Sequence, residues 1–101
     1  MVSYSHEFHD LEGLRTFVYA TLCGHDQLEP DSFAMSESLL MRATEPCGMY
    51  FCLHGPRQVK YTAIWETDRN TILFYGPSGE RFRKSQLIAA PELSGSMNED
   101  R

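Results

Sequence analysis

Few side chains in this 101-residue chain carry nucleophilic or metal-binding chemistry: three cysteines and four histidines. Cys52 and His54 stand two apart in an apolar stretch, so on a strand they share a face, with Glu66 on the same side of the next strand. A thiol beside an oriented base is the minimum for nucleophilic catalysis. Side chains at this spacing stand roughly 7 Å apart, beyond direct hydrogen-bond reach. A buried structural cysteine is the ordinary occupant of such a position. A small thiol-dependent enzyme is therefore only the third reading of the chain.

Metal binding fares no better. If His6, His9 and Cys23 belong to one helix, His9 and Cys23 are about 20 Å apart along its axis. One ion then cannot hold them together with His25. Cys47 and Cys52 differ in parity and face opposite sides of a strand. In His6-Glu7-Phe8-His9 the second histidine comes one residue too early for a zinc-protease helix. Phosphate-loop, dinucleotide and nucleophile-elbow patterns are missing as well. The expectation is no metal, no cofactor and, on balance, no enzyme.

A second constellation is basic and aromatic. Arg57, Lys60, Arg81, Arg83 and Lys84 fall within one stretch, with Tyr50, His54 and Tyr75 alternating onto the same expected face. Cations that meet phosphates and rings that stack on bases suit single-stranded RNA or DNA. A soluble sheet also shows such residues to water, and a pI near 5.2 lacks the usual basic signature. Gly76-Pro77-Ser78-Gly79 shares its letters with a GXXG phosphate clamp, but that clamp joins helices and both flanks here read as strands. The third constellation is apolar. Ile64, Leu73 and Tyr75 gather on the face away from the expected core, where an exposed patch marks an interface and a closed barrel would bury it.

The elements that position these residues follow from periodicity. Apolar residues at three- and four-residue spacing predict a helix over 5–23, capped by Ser5 or Asp10 and ended by Gly24 in a left-handed position. A strand follows over about 33–43. Its inward parity is broken by Glu37, which suggests an edge strand or a bulge near residues 36–38. Four more strands are expected over 48–54, 58–66, 71–75 and 81–84.

With Gly55, Pro56 and Arg57 as the loop, Leu53 falls opposite Val59, Phe51 opposite Tyr61 and Met49 opposite Ala63. Asn70 is expected left-handed after a type I turn, and Gly76 to Gly79 closes the next hairpin. Phe82 is expected inward between outward Arg81 and Arg83. The fold class is α+β: an N-terminal helix packed on a five-stranded antiparallel meander, open or rolled into a small barrel. Residues 1–87 form one domain, and 88–101 a flexible tail.

Apolar content of 42% and charged content of 23% suit an ordinary globular chain. No stretch is apolar enough for a membrane span, and the N-terminus has neither the basic nor the apolar region of a secretory signal. With an odd cysteine count, this leads to an expectation of a cytoplasmic protein with reduced thiols. The net charge of −5 is uneven: residues 1–46 carry −6, residues 47–87 carry +3 and the remainder −2. The leading expectation is a small non-enzymatic binding or regulatory module acting through its sheet. Its partner is another protein or a second copy in a homodimer; nucleic acid is the alternative, and no membrane is expected.

Overall fold

The apolar stripe at Leu14, Val18 and Leu22 forms the buried side of an α-helix. A computed structural model describes residues 3–93. Its elements run β1 (Ser3–Glu7), α1 (Leu11–His25), β2 (Met35–Arg42), β3 (Glu45–His54), a short 3-10 turn (Pro56–Gln58), β4 (Lys60–Glu66), β5 (Thr71–Tyr75) and β6 (Arg81–Ala89). They form one sheet in the order β1-β6-β5-β4-β3-β2, which stays open rather than closing into a barrel. β2 to β6 make the expected antiparallel meander, with β2 at one edge. The sixth strand was not expected: β1 pairs parallel with β6, from Ser3 opposite Lys84 to Glu7 opposite Ala89.

That strand corrects the expected start of the helix. Asp10 is extended, and its Oδ1 accepts the Gly13 N–H at 2.8 Å, which caps the helix there. Upstream, the backbone finds its partners in β6, and the Phe8 N–H continues that ladder to the Ala89 carbonyl. The apolar spacing from Phe8 to Leu11 therefore straddles a break between two elements.

The helix also ends later than Gly24. Gln27, with φ of 57°, takes the left-handed position. The Leu28 N–H reaches the Cys23 carbonyl at 2.8 Å and the Gln27 N–H reaches Gly24, which is the two-bond Schellman ending.

α1 lies on the middle of one sheet face, against β3 and β4. Beneath it, Met49, Phe51, Leu53, Tyr61, Ala63, Trp65, Ile72 and Phe74 are buried, so the inner face is as expected. The pairing itself is shifted by two residues. Leu53 faces Tyr61, Phe51 faces Ala63 and Met49 faces Trp65. The loop is longer than three residues because Arg57 and Gln58 both take left-handed φ, and the chain closes only where the Gly55 N–H meets the Val59 carbonyl. A two-residue shift preserves every side chain's face.

The break in β2 at Glu37 is not a bulge, and its side chain, though exposed, is tied to the helix. Arg15 on the helix holds both Glu37 carboxylate oxygens, at 2.7 and 2.8 Å. The bulge lies further on, between Leu40 and Met41. The later turns match their spelling: Asn70 has φ of 49° and Gly79 has φ of 85°. β6 runs to Ala89, five residues past the expected end of the strand at Lys84 and two past the expected domain boundary at Leu87, and Leu93 is buried in the core cluster. The rest of the expected tail lies outside the described residues.

Candidate functional site

The sheet face opposite α1 has no helix or strand packed on it among the described residues. Its side chains form transverse rows set by the strand registers. One row runs Ser38, Tyr50, Ile64, Leu73, Lys84 across five strands. The next runs Ser36, Cys52, Thr62, Tyr75, Arg81, and a shorter one pairs His54 with Lys60. The expected apolar trio is thus contiguous: Ile64 directly faces Leu73, with Tyr75 one row away. All three are half-buried, and Tyr50 beside Ile64 is 36% exposed. Burial, and then Cys52 beside it, pushes the Tyr50 phenol above its ordinary pKa.

The basic constellation divides. His54, Lys60, Tyr75 and Arg81 sit at the same end of the outer face, because β3 and β5 finish where β4 and β6 begin. Arg57 lies in the adjoining turn and Lys84 one row further along. Arg83 does not join them, against the expectation that it points outward. The register slips between Phe74 and Tyr75, so Phe82 and Arg83 both reach the helix side. The Arg83 guanidinium lies 5.1 Å from the Phe17 ring centre and 5.8 Å from that of Phe74. It also contacts His6 Nε2 at 3.2 Å and donates from Nε to Ser85 Oγ at 3.3 Å. Aromatic faces and a neutral hydroxyl accommodate a half-buried cation. Burial first, and then Arg83, lowers the His6 pKa.

Cys52 is 5% exposed, and His54 directs Nε2 to Ser36 Oγ at 3.0 Å rather than to the thiol. Sequence reasoning missed Ser36, although the β2–β3 register places it opposite Cys52. Among the described residues no carboxylate hydrogen-bonds His54, so the contact lacks the third group that orients a catalytic base.

The residues weighed as metal ligands are dispersed. His6 lies in β1 among Phe8 and Phe17, not on the helix, and Cys23 is on the buried side of α1. His25 stacks on Phe82 with ring centres 3.9 Å apart. Among the described residues, no three histidine, cysteine or acidic side chains are grouped to hold a metal ion.

No helix among the described residues is long and apolar enough to cross a membrane. Comparison with protein-family models, curated proteins and solved structures gives no match.

Proposed function

We propose that this protein is a non-enzymatic binding module that pairs with a second copy of itself through the outer sheet face. The observation that carries the reading is the central row Tyr50, Ile64, Leu73. It is a contiguous aromatic and aliphatic band, half-exposed, on a face that no described helix or strand covers. Lys60 and Arg81 lie at one end of this face, and Glu66 lies toward the other. A two-fold axis running across the strands stacks the faces with strands opposed and sets Lys60 and Arg81 of one copy toward Glu66 of the other. The row of Ile64 and Leu73 then meets itself near the axis.

Analytical ultracentrifugation at micromolar concentration tests this. The expected result is a dimer that Leu73→Asp converts to a monomer with unchanged circular dichroism. A wild-type monomer with the same sedimentation as Leu73→Asp rules the reading out. An oligonucleotide titration at low salt separates it from nucleic-acid binding, which predicts salt-sensitive affinity weakened by Lys60→Ala with Arg81→Ala.

A further inference from the structure

β2 ends the sheet, and one side of its backbone is open. The Ala34 carbonyl accepts the His54 N–H at 2.9 Å, so in this antiparallel ladder Ser36, Ser38 and Leu40 turn their N–H and C=O groups toward β3. The alternate residues Met35, Glu37 and Leu39 turn theirs to the free edge, where no strand pairs with them among the described residues. Natural edge strands are commonly blunted by lysine, proline or shortness. β2 is eight residues long with neither lysine nor proline, and its bulge comes only toward the far end.

A groove lies beside this edge on the helix side. Arg15, Thr16 and Tyr19 of α1 form one wall and Asp31, Phe33 and Met35 the other, around about 480 Å³. Tyr19, Phe33 and Met35 are half-buried, so the margin of the core comes to the surface here. The Tyr19 hydroxyl donates to the Phe33 carbonyl at 2.7 Å and accepts the Asp31 N–H at 2.9 Å, which ties the two walls together. Open backbone groups beside such a groove suit an added strand: the ladder binds its main chain, and the groove takes alternate side chains.

Charge selects the occupant. The edge belongs to residues 1–46, which carry −6. Arg15 is committed to Glu37 and Glu12, and no described cation pairs with Asp31, which is exposed at the groove. Edge-to-edge pairing of two copies would set −6 against −6, which disfavours a second copy here. We propose that β2 takes up an extended lysine- or arginine-rich peptide of another protein as an antiparallel strand, with apolar side chains in the groove. This edge is separate from the outer face proposed for self-association and does not depend on it.

The test is fluorescence anisotropy of the full chain with a labelled peptide that alternates lysine with valine and carries one central phenylalanine in place of a valine. Saturable binding is expected, with amide NMR shifts at Met35, Glu37 and Leu39. In an antiparallel pair, residues directly opposite share a face, so the peptide's apolar set carries the N–H groups that meet β2. Methylating the backbone nitrogens of that set is expected to weaken binding at least roughly tenfold more than methylating those of the lysine set. A peptide with glutamate for lysine is expected not to bind. Thr16→Trp, at an exposed helical position, fills the groove and is expected to weaken the lysine peptide at least roughly tenfold. The proposal is overturned if the β2 amides do not shift with peptide, or if they shift with protein concentration alone, which marks self-pairing of the edge. It is equally overturned if the two methylated peptides bind alike, if the glutamate peptide binds as well as the lysine one, or if a folded Thr16→Trp binds as wild type does. Should Thr16→Trp fail to fold, the peptide comparisons on the native chain decide alone.

Discussion

Tyr61 keeps its proton far into the alkaline range. Burial first, and then the Asp26 carboxylate that its hydroxyl donates to at 2.6 Å, pushes its pKa up to about 12 from an ordinary 10. An unfolded chain loses this proton near pH 10 while the folded chain holds it. The stabilisation is thus complete below pH 10 and is lost as pH rises toward 12. The loss amounts to about 2–3 kcal/mol. Urea denaturation at pH 9 and pH 11 is expected to show a decline that is clearly smaller in Tyr61→Phe; an identical decline would contradict it.

Individual charges were harder to read than individual apolar residues. Glu37 appeared as a flaw in an inward pattern, and Arg83 as an outward cation. Hydrophobic periodicity assigns every charge to water. It has no means of seeing that Arg15 reaches across from another element to Glu37, or that a guanidinium settles on Phe17 and Phe74. Pairing between elements distant in sequence made both side chains exceptions.

Elements were legible where local chemistry fixes them. Asn70 and the turn ending at Gly79 carry their own left-handed signals, and β5 begins and ends where periodicity put it, at Thr71 and Tyr75. The β3–β4 loop escaped because Arg57 and Gln58 adopt left-handed φ without the residues that advertise it. The same mismatch ends α1: a glutamine occupies the left-handed position, and the glycine sits three residues earlier, inside the helix. Exchanging these roles is expected to stabilise the fold. Gly24→Ala meets no atom within 4 Å and gains about 1 kcal/mol of helix propensity, while Gln27→Gly relieves an unfavourable φ for up to about 1 kcal/mol more. Thermal denaturation of the double variant checks this, and an unchanged or lowered midpoint would refute it.

At the scale of the whole molecule, the α+β class and the two-sided sheet were legible, and the order of its edges was not. β1 is five residues long, and its partner lies at the opposite end of the sequence, so no local pattern announces it. The candidate outer face was readable because it needs only parity, which survives a two-residue slip in register. The row that joins Tyr50, Ile64 and Leu73 required the actual pairings.

Long-range closure also predicts how the fold comes apart. Leu87, 3% exposed on β6 and opposite His6, belongs to the most sequence-distant pairing in the sheet. Leu87→Ala is expected to cost about 2–5 kcal/mol and to appear mainly as faster unfolding, because contacts of such span form late. A chevron in which the folding limb carries most of the loss would show the reverse order.

The same parallel pairing bears on the protein's birth. Translation delivers β1 before β6, so β1 leaves the ribosome ahead of the strand it pairs with in this sheet. Its pairing with β6 cannot form until the strand at the far end of the domain has cleared the exit tunnel. For a nascent chain with an apolar sheet face still uncovered, that interval is when chaperones have the most reason to hold it.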